Sequence, residues 1–244
     1  MRNLLKMERY QLLHNKIYWL ALLGVFLMGY FTAESYEIEW GGPYGGAASL
    51  IEIFNGMVYD SALPLVVLGS LLALLLGQEF AARTIDLEIC AGHPRGHIFF
   101  SKVITYLAAF NIMAILYPVA GCIREYSKFG FGGAMPFWSG AIKGIAYSFL
   151  LNSGMFLIAV LCCFCFRNGA LSSALTAGIM FALAAYFGYG AMWGLPVFFL
   201  PTYQIREAII SSTAFLPMCL LVGVVWLIVL TAASWRVFRK CDLK

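Results

Sequence analysis

Charge is scarce in this chain: 11% of its 244 residues are Asp, Glu, Lys or Arg, against 62% hydrophobic. A soluble domain of this length carries roughly a quarter charged residues. So large an apolar surplus does not fit inside one globular core, and a net charge of only +4 gives no footprint for nucleic acid. The solvent that accommodates such a chain is lipid. Ionisable side chains are missing from the middle of every long apolar run. One placed there costs on the order of 3 kcal/mol and is kept mainly for function, so the proton relay of a secondary transporter is not legible. Repeated halves with broken helices, the mark of many ion-coupled transporters, are not visible either. The chain holds no GxxxxGK[ST] phosphate loop and no HExxH zinc motif. Any uphill movement of cargo must then draw its energy from another polypeptide. The seven cysteines sit in apolar runs or basic segments, unlike the loop-borne pairs of a disulfide scaffold.

What is present is six apolar runs, near the roughly 20 residues a helix needs to cross the hydrocarbon. They are Ile17–Ala33, Met57–Leu76, Val103–Ile123, Ile142–Phe166, Ala170–Met192 and Thr213–Trp235. They are continuously apolar rather than alternating, which selects helices over a barrel. The expected fold is an all-α integral membrane protein of six transmembrane helices, with 1–244 a single transmembrane domain. The first run is expected to be a retained helix, since the mixed segment before it does not resemble a signal-peptide n-region.

Lys and Arg set the orientation. With the N-terminus cytoplasmic, twelve lie inside and four outside: Arg124, Lys128, Lys143 and Arg206. That asymmetry places both termini in the cytoplasm. Residues 1–16, MRNLLKMERYQLLHNK, mix leucines with basic residues and read as an amphipathic helix on the inner surface. On the outer side Glu34, Glu37, Glu39 and Glu52 suggest an acidic loop around GGPYGG. Trp40, Tyr44, Trp138, Trp193 and Tyr203 suit the outer headgroup level. Between the last two spans, Pro196 and Pro201 break an apolar stretch that is expected to enter the outer leaflet and return.

Small residues recur every fourth position at Gly69, Ala73, Gly77 and at Ala170, Ala174, Gly178, Ala182. Such stripes let helices approach closely, within one bundle or between two copies; packing within the bundle is the simpler reading. Asn111, Ser148, Asn152 and Ser153 are polar groups within spans, suited to bonding a neighbouring helix or to lining a translocation path. The CCFCF run, Cys162–Phe166, reads as packing, where Cys is a small hydrophobe. Cys90, His93 and His97 are the one metal-like constellation, but Pro94 and Gly96 interrupt a regular turn between the histidines.

The densest charge lies in GQEFAARTIDLEICAGHPRGHIFFSK, Gly77–Lys102. Glu79 precedes Arg83 by four residues, the favourable order for a helical ion pair. Apolar residues are interleaved, and Gly92 with Pro94 ends any helix. So short a helix is marginal alone and holds when docked on a partner or on the membrane. Glu79-Phe80, Thr84-Ile85, Pro94-Arg95 and Lys102 resemble the first cytosolic loop of the permease subunit of a type-two ATP-binding-cassette (ABC) exporter. Asp86-Leu87-Glu88 departs from that pattern, since relatives more often carry a basic or neutral residue there.

The resemblance implies a surface-lying N-terminal helix, six spans, a re-entrant outer segment between helices 5 and 6, and a cytoplasmic coupling-helix loop at 78–101. Glu79, Phe80, Arg83, Thr84, Ile85 and Leu87 would then dock on a separate ABC ATPase subunit. ATP and Mg would be bound by that partner and no cofactor by this chain. A second permease chain is implied, as a homodimer or a paralogous heterodimer, in a bacterial plasma membrane. Without buried charge or large outer loops, the expected cargo is amphipathic or hydrophobic: an antimicrobial or other peptide, a drug or a lipid. Two other readings stay open: a membrane-resident immunity or peptide-binding protein that transports nothing, and an intramembrane metalloenzyme using Cys90, His93 and His97.

Overall fold

A computed structural model describes residues 1–39, 47, 49–130, 134–211, 213 and 215–240. Ten helices, and no strand, occur among the described residues: α1 Arg2–His14, α2 Lys16–Glu39, α3 Leu50–Tyr59, α4 Ala62–Ala81, α5 Thr84–Cys90, α6 Arg95–Phe129, α7 Ala134–Phe166, α8 Gly169–Trp193, α9 Pro201–Ile210 and α10 Pro217–Lys240. Six of them, α2, α4, α6, α7, α8 and α10, are long and apolar enough to cross a membrane. The architecture is that of a multi-pass membrane protein.

Several boundaries differ from the sequence reading, for local reasons. Glu34, Glu37 and Glu39 continue α2 instead of forming a loop, because no helix breaker intervenes before Gly41. Trp40, Tyr44 and GGPYGG lie outside the described residues. The run expected from Met57 is cut at Asp60-Ser61, so its start belongs to a separate helix, α3. Pro64 then falls in the first turn of α4, where its missing N–H leaves no hydrogen bond unmade. The charged connection shrinks from 78–101 to 82–94, because α4 runs on to Ala81 and α6 starts at Arg95. At 35 residues α6 is roughly 52 Å long at 1.5 Å per residue, well beyond the hydrocarbon thickness. It carries Pro118 inside its length.

Helices pair lengthwise: α4 along α8, α7 along α10, and α2 along α6. The two small-residue stripes separate here. Gly77 of α4 faces Gly169 so closely that an added Cβ would stand 2.5 Å from the Gly169 Cα. The α8 stripe, Ala170, Ala174, Gly178 and Ala182, faces outward instead, and a Cβ at Gly178 would meet nothing within 4 Å. The α4 stripe serves packing within the chain.

The two ends of the bundle are chemically distinct. Arg95, at the start of α6, donates from Nη1 to the carbonyl of Arg239 at 3.0 Å, satisfying a terminal carbonyl of α10. Glu8 of α1 also reaches the first turns of α6, so the first and last helices meet at one end of the molecule. The cations expected outside gather towards the other end, each with a partner. Arg124 binds Glu34 and the Tyr30 carbonyl, and Lys128 pairs with Glu125 at 3.0 Å. Lys143 donates to the Ser211 carbonyl, and Arg206 pairs with Asp60 at 2.7 Å. Arg206 also lies over the Tyr59 and Phe187 rings, 4.5 Å from each centroid. It thereby ties α9 and α8 to the α3–α4 junction.

Candidate functional site

At the end bearing α1 and the tail of α10, one lysine holds four helices together. Lys102 projects from α6 and is 0% exposed. Its Nζ donates to Glu8 Oε1 of α1 at 2.7 Å and to Glu88 Oε1 of α5 at 3.1 Å, and it is paired with Glu79 near the end of α4. The Tyr106 hydroxyl, one turn further along α6, donates to Glu79 Oε1 at 2.5 Å. An ammonium has three N–H donors, so three carboxylates saturate it. Burying this ion cluster is tolerable only while each charge keeps its partner.

Sequence explains how each residue arrives. In α1, Leu4, Glu8 and Leu12 recur at four-residue spacing and form the buried stripe, so Glu8 is the single acid on an apolar face. Helix α4 stops at Ala81, and Arg83 adopts a left-handed conformation, φ 55°, which turns the chain sharply into α5. That turn points Ile85 and Glu88 back at the body of the protein. The Thr84 hydroxyl donates to the Glu79 carbonyl at 3.1 Å and secures the corner. Beside the cluster lies a floor of aromatic rings: Phe80 of α4, Phe99 of α6, Phe164 of α7, and Trp235 and Phe238 of α10. Centroid distances of 5.1–5.6 Å in these pairs are those of favourable edge or tilted contacts. The CCFCF run supplies Phe164 to this floor, and Cys163 donates to the Ala73 carbonyl at 3.2 Å.

Three carboxyls facing one ammonium leave an excess of negative charge. Burial pushes the Glu8 carboxyl up to about 7; Lys102 pulls it down, while Glu79 and Glu88 push it up again. The second oxygen of Glu88 is buried without a hydrogen bond. Burial outweighs the lysine here, so the Glu8 carboxyl holds its proton more tightly than a free one.

No protein-family model and no curated protein matches the chain.

The residues singled out from sequence in the charged segment divide by face. Glu79 turns inward to Lys102 rather than pairing with Arg83, because the helix breaks between them. Phe80 and Ile85 are buried, and Thr84 is half-buried at the corner. Arg83 is exposed, and Leu87 is 67% exposed at the tip of the connection. The acidic departure at Glu88 is the third ligand of Lys102. Cys90 and His93 are exposed on the same connection and His97 on the first turn of α6. No group of three or more His, Cys, Asp or Glu among the described residues is arranged to hold a metal ion.

The four polar span residues meet inside the bundle. Asn111 of α6 donates to Ser153 Oγ of α7 at 2.9 Å, and Asn152 donates to Ser148 Oγ at 2.7 Å. All four are buried; the first bond crosses from α6 to α7, and the second stays within α7. A cavity of about 520 Å³ lies elsewhere, between α2 and α4 towards the opposite end. Met28, Leu63, Pro64 and Val67 give it an apolar wall; Thr32, Tyr117, Asp60 and Arg206 give it polar groups. The Thr32 and Tyr117 hydroxyls are hydrogen-bonded at 3.1 Å. Burial raises the Asp60 carboxyl, and Arg206 opposes the shift.

Proposed function

We propose that this chain is the membrane subunit of an ATP-driven exporter, moved by a separate ABC ATPase that grips the 82–94 connection. The observation that carries the reading is the Lys102 cluster. A push on a loose surface loop dissipates locally, whereas α5 is bonded through Glu88 and Lys102 to α6, through Glu79 to α4, and through Glu8 to α1. A displacement of the exposed tip is therefore passed to two spans and the surface helix as one body. Arg83 and Leu87 are the side chains left free to meet a partner. Phe80, in the aromatic floor, and Ile85 position the docking surface from behind.

Two such chains would complete the exporter. The outward stripe on α8 fits close approach of a second copy, since small residues let spans pack by backbone contact. The 520 Å³ cavity between α2 and α4, apolar on one wall and polar on the other, suits an amphipathic cargo such as a peptide or lipid. Orientation with both termini in the cytoplasm, α9 as a re-entrant element, and a bacterial plasma membrane belong to the same proposal.

Purification of the tagged chain from its native membrane tests it. A P-loop ATPase should be retained in stoichiometric amount by the wild type and lost from Leu87→Asp combined with Arg83→Glu, with melting temperature unchanged. If no ATPase accompanies the folded wild type, or if the double variant retains it fully, the exporter reading fails.

A further inference from the structure

The outer face of α1 carries a second feature, independent of the exporter reading. Arg2, Lys6, Arg9 and Leu13 fall three or four residues apart, so they form one stripe along the helix. The stripe edges a groove of about 620 Å³ between α1 and α6, within the range of small-molecule sites. Its floor is small and apolar, Ala108 and Ala109 of α6, and Ile104 and Ile112 on the same side are exposed.

Charge decides the occupant. Glu8 is the only acidic residue of α1, and it points away into the Lys102 cluster. Among the described residues no ion pair engages Arg2, Lys6 or Arg9, whereas the cations at the opposite end all have partners. Three unpaired like charges on one helix stripe repel one another. A groove that is greasy inside, cationic on one lip and open sideways at the membrane surface matches an amphiphile with an anionic head. We propose that it binds one anionic phospholipid, an acyl chain lying over Ala108 and the phosphate held by Arg2, Lys6 and Arg9. A zwitterionic lipid brings its own cation to the same lip and loses the advantage. Three cations near the surface give a preference for the anionic lipid on the order of 100-fold at low salt, shrinking as salt screens it.

The test is native mass spectrometry of the full chain, released from detergent containing equal phosphatidylglycerol and phosphatidylcholine. The wild type should keep one phosphatidylglycerol in preference to phosphatidylcholine. Arg2→Gln/Lys6→Gln/Arg9→Gln should abolish the preference, and so should Ala108→Phe, which fills the floor but keeps the charges. Arg236→Gln/Arg239→Gln/Lys240→Gln removes the same charge from exposed positions on α10 at the same end and should leave the preference intact. Equal retention of both lipids by the wild type overturns the proposal. So does an equal loss in the α10 variant, which would mean diffuse surface charge, or displacement of the lipid by millimolar inorganic phosphate.

Discussion

Replacing Lys102 with Met removes the cation and little volume, leaving the carboxyls of Glu8, Glu79 and Glu88 facing one another. Their side chains are 1%, 15% and 6% exposed, so water does not take over the lysine's role. Breaking a buried ion pair by removing one partner costs about 3–5 kcal/mol. The chain's escape is to protonate the carboxyls. For a group whose ordinary pKa is 4.5, that costs about 5 kcal/mol at pH 8 and under about 1 kcal/mol at pH 5. Lys102→Met is therefore expected to melt roughly 6–20 °C below the wild type at pH 8, and to recover most of the difference at pH 5. Intrinsic-fluorescence melting of the detergent-solubilised chain measures both values. Limited proteolysis at pH 8 should release α1 first, because the Glu8–Lys102 ion pair ties it to α6. A variant that melts within about a degree of the wild type at pH 8 would refute the account, as would a deficit equally large at pH 5.

Glu8→Gln separates the carboxyl from its proton. The folded-state pKa of Glu8 is raised to about 7, so the folded chain holds this proton longer than the unfolded chain. Its contribution to stability is complete below pH 4.5 and lost as pH rises through 7, a change on the order of 3 kcal/mol. The amide cannot ionise, so Glu8→Gln should flatten that slope and melt above the wild type at pH 8; a slope identical in both chains removes the assignment. Gly77→Ala should lower the melting temperature, because its Cβ would collide with the Gly169 backbone, at a cost of about 1–3 kcal/mol. Gly178→Ala, with open space at its Cβ, should be neutral or stabilising by up to about 1 kcal/mol. Equal melting of these two variants would place α4 and α8 further apart than described. Leu87→Asp alone should leave stability within about 0.5 kcal/mol, read by the same melting assay, while reducing ATPase retention.

Much of the candidate site was legible, though not its bonds. The density of charge in Gly77–Lys102 marked the segment, although α6 begins at Arg95 and Lys102 lies in its second turn. The expected Glu79–Arg83 pair assumed one unbroken helix, a local rule that the left-handed Arg83 cancels. Glu8 gave a weaker signal, one acid in the apolar stripe of α1. Four-residue spacing says which face is buried and nothing about what lies opposite. Likewise, periodicity could not tell that Asn111 and Ser153 bond each other across α6 and α7.

Sequence by itself determined six helices long and apolar enough to cross a membrane, and the sorting of cations between two ends. These follow from the cost of placing each side chain in hydrocarbon, which is a property of the residue and its near neighbours. Tertiary structure alone decided that Lys102 collects carboxylates from three other helices, and that one small-residue stripe is buried while the other faces out. Partners 94, 23 and 14 residues away are brought to one ammonium only when α1, α4, α5 and α6 converge, and no local propensity encodes that meeting.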